Sequence, residues 1–278
     1  MIVRKSKAEI EGMARAGELV HETLQLCAEV LEPGMSMLEL DRIADEHIAS
    51  KGGYPTSKGY KGFPAALCIS PNSMIVHGIP NAYRAREGDL ISVDLGVTLD
   101  GLIADSAVTL PVGEITSEAQ RLLDVCQDAL AAGIEQARPG NRLSDISHAI
   151  QTVVESAGFS VVRSLVGHGV GRHYHEDPQI PNYGSPGRGP VLQEGMTLAI
   201  EPMITMGRPE VYVHDDDWSI SSVDESLAAH FEHTVAITPD GPRILTRRLE
   251  ASAAKPPTPG QGAESPSAIP GAGAALLR

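Results

Sequence analysis

Two aspartates in residues 86–106 have the spacing of carboxylates that share a cation. The segment alternates apolar and other residues on both sides of an Asp-Gly pair at 100–101, the strongest short signal for a two-residue β-hairpin. In the register that this turn sets, Asp94 lies opposite Ala107 and Asp105 lies on the same face, about 7–8 Å away at Cα. Two carboxylates on one apolar face are costly unless a positive charge lies between them. The pattern therefore indicates a metal site or, alternatively, a solvated hairpin face.

The same acidic pattern returns in the second half of the chain. A Glu-Gly pair precedes Asp94, and another precedes Glu201 at the same distance. An acid three residues before a valine occurs at Asp105 and again at Glu232, and a Pro-Gly turn between two helical stretches occurs once in each half. Four matches in the same order indicate two diverged halves of one fold, each donating two carboxylates to a shared centre.

Residues 160–181 are rich in glycine and histidine. A dinucleotide-binding turn would need a helix directly after its glycines, but prolines follow instead, which excludes that kind of site. If the segment is extended, His173 and His175 lie on one face and Tyr174 on the other. Spacing alone allows either His168 or His175 to be a metal ligand.

Composition limits the class of protein. The chain has 278 residues, is 42% hydrophobic and 21% charged, and carries a formal charge of −14, which disfavours a large nucleic-acid interface. Its 3 cysteines are odd in number and lack CxxC spacing, so neither a disulfide framework nor a zinc knuckle is indicated. No signal peptide and no membrane span are expected. We therefore expect a cytoplasmic protein.

The elements that must position these residues follow from periodicity and turn signals. A short strand and a turn at Pro71-Asn72 are expected within 63–81, where His77 by itself is interpreted as a structural histidine. A strand over 196–204 is expected to end at Glu201, and the last strand, over 228–238, is expected to carry Glu232. Helices are predicted over residues 7–31, 36–50, 117–138 and 143–157.

Five sequence contexts, in this order, carry a family resemblance: SVDLG, DGLIADSAVT, GHGVGRHYHEDP, LAIEPM and HFEHTVAIT. They resemble the type I methionine aminopeptidases over residues 4–249. The resemblance implies an α+β, pseudo-two-fold "pita-bread" fold, with a curved antiparallel sheet and helices on its outer face. The expected catalytic domain is 1–249, in halves of about 1–110 and 111–249. Residues 250–278 are expected to form a disordered Ala/Pro/Gly-rich tail.

The resemblance also implies a dinuclear metal centre. Asp94 would chelate one ion, His168 and Glu201 would bind the other, and Asp105 and Glu232 would bridge the two. Carboxylates and an imidazole suit divalent cobalt, manganese, iron or zinc. Glu201 would also accept the proton of the water that the two ions activate.

Further residues match the family's substrate site. His77 and His175 would hold the scissile amide and its neighbouring carbonyl, which reverses the structural interpretation of His77. The side chains that would form the methionine pocket are Tyr60, Phe63, Cys68, Tyr174 and Trp218. Two departures concern substrate affinity: His173-Tyr174 replaces a frequent Gly-Phe, and Ser57 replaces a cysteine of some members.

The function implied is removal of the N-terminal methionine from nascent proteins when the second residue is small. A proline-directed peptidase of the same fold is an alternative, as is a catalytically inactive binding member. The first usually has a further N-terminal domain, and the second would lack ligands. We expect a monomer that acts on nascent polypeptide N-termini, with transient ribosome association implied by that role and no DNA or membrane partner.

Overall fold

The computed structural model describes residues 1–247, so the predicted tail lies outside the described residues. The helices are α1 (Lys7–Val30), α2 (Met37–Ser50), α3 (Ser117–Gln136) and α4 (Leu143–Ser156). The first strands are β1 (Tyr54–Pro55), β2 (Cys68–Pro71), β3 (Met74–Val76), β4 (Leu90–Leu99), β5 (Leu102–Pro111), β6 (Ser160–Val161), β7 (Val166–Gly169) and β8 (Glu176–Pro181). The remaining strands are β9 (Thr197–Ile200), β10 (Met203–Thr205), β11 (Val211–Val213), β12 (Ile220–Ser222), β13 (Ala228–His230), β14 (His233–Thr238) and β15 (Gly241–Ile244).

The strands form four antiparallel sheets. One has the order β1-β4-β2 with β5 on β4, and the largest has the order β15-β14-β9-β7-β8. The two smaller sheets have the orders β13-β10-β6 and β11-β12-β3. The helices follow the prediction within two residues at each end. Each half of the chain contains a helix pair followed by paired antiparallel strands, while the division into two halves stays a prediction.

Helix α1 packs against β4 and β5 and so supports the hairpin that carries both aspartates. Its N-terminus has a full capping box, in which Ser6 accepts from the Glu9 N–H and the Glu9 carboxylate accepts from the Ser6 N–H. The N-terminus of α2 is capped as well, since the Ser36 side chain accepts from the Glu39 N–H.

The β4–β5 hairpin has the predicted register. Asp94 is paired with Ala107, and Asp105 is paired with Gly96. Asp100 and Gly101 both have positive φ, at 51° and 76°, as a two-residue turn of this kind requires. The prediction that the two carboxylates share one face is therefore confirmed.

Two predicted strands are each broken at an acid. The stretch 196–204 is divided into β9 and β10 at Glu201-Pro202, because proline has no N–H for the ladder. The stretch 228–238 is divided into β13 and β14, and the Glu232 N–H bonds to the carbonyl of Ala107 at 2.9 Å instead of continuing a strand. The prediction that the last strand carries Glu232 was therefore wrong, and β15 follows as a further strand.

A search of the described helices for a membrane span found none of sufficient length and apolar character.

Candidate active site

The five predicted metal ligands come from neighbouring strands and from the breaks next to them. Asp94 and Asp105 project from the β4–β5 hairpin, and His168 lies in β7, paired with Ala199 of β9. Glu201 follows β9, and Glu232 precedes β14, which pairs with β9. Breaks in regular pairing free Glu201 and Glu232 from the ladder, so that their side chains turn toward the hairpin.

Asp105, His168 and Glu232 form a compact buried cluster. Each offers a ligand atom, and these atoms lie within 4.8 Å of one another. The His168 Nε2 atom is 3.7 Å from Asp105 Oδ2 and 3.5 Å from Glu201 Oε1. The Nδ1 atom donates to the carbonyl of Gly169 at 2.9 Å, which fixes the tautomer and leaves Nε2 facing the acids.

The electrostatics of this cluster favour a bound cation. Burial raises the pKa of Asp94 to about 7. Burial, and then the charges of neighbouring acids, raise the pKa values of Asp105, Glu201 and Glu232 well above the usual range. Buried carboxylates without a counter-charge are destabilising, and a divalent ion relieves both desolvation and mutual repulsion.

Hydrogen bonding supports the same assignment. One buried oxygen in each of three carboxyl groups, Asp94, Asp105 and Glu232, has no hydrogen-bond partner among the described residues. Unpartnered buried oxygens are rare in folded proteins and need an explanation. These oxygen and imidazole donors fit divalent metal ions, and the buried Asp/His/Glu cluster could therefore bind metal.

Hydrogen bonds between side chains and backbone groups hold β5 against β14. The Thr234 hydroxyl accepts from the Asp105 N–H at 2.9 Å and donates to the Asp105 carbonyl at 2.8 Å. Ser106 donates to the carbonyl of Glu232, and Asn182 donates to the carbonyl of Glu201 at 2.9 Å. The acids therefore stand on a backbone that is fixed in place. The sequence analysis did not identify Thr234, although it lies two residues after Glu232.

A cavity of about 100 Å³ opens beside the cluster. Every residue predicted to bind substrate lines it. The lining residues are Ser57, Tyr60, Lys61, Phe63, Cys68, His77, Asp94, Tyr174, His175 and Trp218. Its walls are mostly aromatic and apolar, so it suits an unbranched apolar side chain.

The aromatic rings of the cavity contact one another closely. The His175 ring is stacked on Tyr60, with centroids 5.2 Å apart and planes at 18°, and it lies 4.1 Å from the His168 ring. Phe63 and Trp218 meet edge to face at 5.1 Å. These contacts restrict the side-chain rotamers and give the cavity a fixed shape.

The two predicted non-ligand histidines are neutral at neutral pH. Burial lowers the pKa of His77, and burial followed by the charge of His168 lowers that of His175 to about 3. A neutral imidazole keeps one N–H donor and one acceptor nitrogen. The segment 171–175 is bent rather than extended, so the condition for the predicted alternation is not met; Tyr174 is buried, His173 and His175 are exposed on either side of it, and of these two histidines only His175 lines the cavity.

Two site residues were missed by the sequence analysis. Lys61 lies at the cavity, with its Nζ atom 5.4 Å from the centroid of Tyr60. His230 is 1% exposed, its Nε2 atom is 3.7 Å from Glu201 Oε2, and neither ring nitrogen has a hydrogen-bond partner among the described residues. The available signal for His230 was its place two residues before Glu232.

Comparison with known proteins relates the chain to a peptidase family. Residues 11–239 match the model of metallopeptidase family M24. The chain is 51% identical to the methionine aminopeptidase of Clostridium perfringens, over 88% of this chain and 99% of that protein. It is similar to the crystal structure of methionine aminopeptidase from Thermotoga maritima, with a TM-score of 0.87 and 46% identity over 89% of this chain and 100% of that one.

A more distant structure shares the fold alone. Prolidase from Pyrococcus furiosus aligns with a TM-score of 0.72 at 24% identity, covering 88% of this chain and 65% of that chain. The predicted α+β pita-bread fold is thus confirmed. The chain belongs to metallopeptidase family M24 and, within it, to the methionine aminopeptidases.

Proposed function

We propose that this protein removes the N-terminal methionine from proteins and peptides whose second residue is small. The observation that carries the proposal is the position of Asp94, which lines the aromatic cavity and shares one face of the β4–β5 hairpin with Asp105 of the acidic cluster. One side of the site can bind an apolar side chain while the other acts on the adjacent peptide bond. The identity to methionine aminopeptidases over most of the chain supports the same activity.

Two divalent ions are the proposed cofactor. Asp94, Asp105, His168, Glu201 and Glu232 would hold them, and cobalt, manganese, iron and zinc all suit these ligands. Such a pair of ions activates water and stabilises negative charge on oxygen. The buried carboxylate oxygens of Asp94, Asp105 and Glu232 that have no hydrogen-bond partner among the described residues support this proposal.

The cavity residues would bind the methionine side chain. Sulfur contacts with aromatic rings are favourable, and Tyr60, Phe63, Tyr174 and Trp218 provide such rings. Cys68 adds a small apolar wall, since it is 7% exposed and burial raises the pKa of its thiol well above the usual range. A neutral thiol packs against a thioether without introducing charge.

The polar residues would carry the proton transfers and stabilise charge. Glu201 is the proposed acceptor of the proton that the attacking water would lose, since its carboxylate lies beside the buried cluster, with Oε1 3.5 Å from His168 Nε2. His175 would donate to the carbonyl oxygen that gains charge, and His77 would hold the neighbouring amide. Each neutral imidazole still has one N–H to donate.

Nascent polypeptide N-termini are the proposed substrates, with transient contact at the ribosome. The protein would act as a monomer, because a single chain supplies every residue of the cluster and the cavity. A cytoplasmic setting is proposed, supported by Cys27, Cys68 and Cys126, which are buried free thiols.

One assay tests the proposal. The full chain, loaded separately with manganese, iron, cobalt and zinc, should hydrolyse Met-Ala-Ser and largely spare Met-Lys-Ser, because the cluster and the two histidines crowd the second residue. Ala-Pro dipeptides are the matched control for the proline-directed alternative. Hydrolysis of Ala-Pro in preference to Met-Ala-Ser would overturn the proposal, and metal-loaded protein that cleaves neither would favour an inactive binding member.

A further inference from the structure

The loop that carries His175 is held by hydrogen bonds to one carboxylate, that of Glu176. Residues 170–175 join β7 to β8, and Glu176 is the first residue of β8. Its Oε1 atom accepts from the N–H of Arg172 at 2.9 Å and from the N–H of His173 at 3.1 Å. These bonds close a small ring of backbone through Tyr174 and His175, so the direction of the Glu176 side chain fixes both.

Lys5 holds the other oxygen of this carboxylate. Its ammonium donates to Glu176 Oε2, and the two side chains are 1% and 6% exposed. The Lys5 backbone is itself anchored, since its N–H bonds to the carbonyl of Gly195 at 2.6 Å. On the loop side, Gly171 packs against the Lys5 side chain, and a Cβ there would lie 2.8 Å from Nζ. Lys5 therefore connects a fixed part of the chain to the loop.

The buried pair differs from the other ion pair of this loop. Arg172 pairs with Glu9, but its side chain is 57% exposed, and exposed pairs contribute little. For Lys5 and Glu176, removing one partner leaves a buried charge uncompensated, which is strongly unfavourable. Burial alone would raise the pKa of Glu176, yet the bonds from Lys5 and from the backbone outweigh it and lower the pKa. The carboxylate is thus held ionised.

We propose that Lys5 is a positioning residue for His175, acting through its buried ion pair with Glu176. The pair fixes the loop so that the His175 ring lies between Tyr60 and His168, 5.2 Å and 4.1 Å from their ring centroids. The catalytic consequence rests on the proposed function, whereas the placement of the ring does not. No metal ligand takes part, so metal binding is independent of Lys5.

The test compares Lys5→Met with Lys7→Met, a matched substitution at an exposed position two residues away. At a temperature where both are folded, Lys5→Met should lower kcat on Met-Ala-Ser about 10- to 100-fold, because small displacements of catalytic groups cost that much. KM should change less than kcat, and metal content should equal that of the wild type. Lys7→Met should match the wild type throughout. Combining Lys5→Met with Glu176→Gln removes the unpaired charge but keeps an acceptor oxygen, and it should recover part of the lost kcat.

A second readout does not depend on activity. The ring resonances of His175, identified by their absence in His175→Ala, should shift in Lys5→Met and stay in place in Lys7→Met. Wild-type kcat together with wild-type His175 resonances in Lys5→Met would overturn the proposal. If Lys5→Met does not fold, Glu176→Gln replaces it under the same criterion. If the wild type cleaves no methionyl peptide, the proposed function fails, and the resonances alone decide the positioning of His175.

Discussion

The ring of Tyr174 lies directly over Gly96, the residue that faces Asp105 across the β4–β5 hairpin. A Cβ at position 96 would lie 2.6 Å from Cε2 of that ring. The Tyr174 hydroxyl also lies 3.1 Å from the Ser57 hydroxyl, within hydrogen-bond distance. Gly96 therefore contacts the cavity wall at Tyr174 and is paired with Asp105 of the acidic cluster. Because glycine has no side chain, the Tyr174 ring can pack directly against the hairpin that carries Asp105.

Gly96→Ala should displace Tyr174 from the cavity wall. Because overpacking a tight contact costs about 1–3 kcal/mol, the free energy of unfolding should fall by that amount. KM for Met-Ala-Ser should rise more than kcat falls, since the displaced ring lines the methionine pocket. Urea unfolding and steady-state kinetics measure both effects. Tyr174→Phe is the control, because it keeps the ring and removes only the hydroxyl, which contacts Ser57 and Asp105. A Gly96→Ala protein with wild-type KM and unfolding midpoint would contradict the packing described here.

Asp105→Asn should remove bound metal and abolish turnover. The residue lies within 4.8 Å of both other cluster members through its oxygens, and its charge is needed to offset repulsion between cations. Elemental analysis after dialysis and a Met-Ala-Ser assay measure the two losses. Asp100→Asn in the turn of the same hairpin is the control, because asparagine tolerates the positive φ of 51° there. Wild-type metal content and turnover in Asp105→Asn would exclude the proposed centre.

The hairpin register could be predicted from the sequence because an Asp-Gly turn leaves one pairing that keeps the apolar residues on one face. The interruptions of the strands at Glu201 and Glu232 were predicted less accurately. Pro202 signals the first, but Glu232 leaves its strand to bond Ala107 of β5, and no local pattern encodes that partner. The internal repeat, on the other hand, predicts both acids from sequence alone, because Glu201 matches Asp94 and Glu232 matches Asp105.

The substrate cavity depended on the family resemblance. Tyr60 and Phe63 lie in one short segment and Trp218 lies far along the chain, and their types alone are as consistent with a core as with a pocket. Contacts between distant segments, such as Lys5 with Glu176, are set by tertiary packing, so the hydrophobic periodicity of the sequence does not predict them. The same reason applies to His230 beside Glu201.

The metal-free protein should become less stable as the pH rises. Burial raises the pKa of Asp94 from its usual 3.8 to about 7. The folded state therefore binds a proton that the unfolded state has released over this interval, and the free energy of unfolding falls as the pH rises through it. Thermal melting in a chelator from about pH 7 to about pH 8.5 should show a falling midpoint, because in that range the buried histidines with lowered pKa values, such as His168 and His230, are neutral in the folded and the unfolded state alike. A saturating divalent ion should remove the fall, because the cation replaces the proton, and Asp94→Asn should reduce it. A midpoint that rises with pH in the chelator would contradict this prediction.

The last prediction separates a histidine that binds metal from one that acts on the substrate. His168 Nε2 faces Asp105 and Glu201, whereas the His175 ring lies between Tyr60 and His168 at the cavity. His168→Ala should therefore lose affinity for one ion in a calorimetric titration.

His175→Ala should keep its metal affinity and its fold while kcat falls about 10²- to 10³-fold, the usual loss when one donor to a developing oxyanion is removed. The fall should appear in kcat and in kcat/KM alike, because the proposed hydrogen bond strengthens only in the transition state. His173→Ala is the control, since that neighbouring side chain is exposed and does not line the cavity. If His175→Ala lost metal while His168→Ala bound it normally, the two roles would be reversed. His175 would then be the metal ligand, and His168 would act on the substrate.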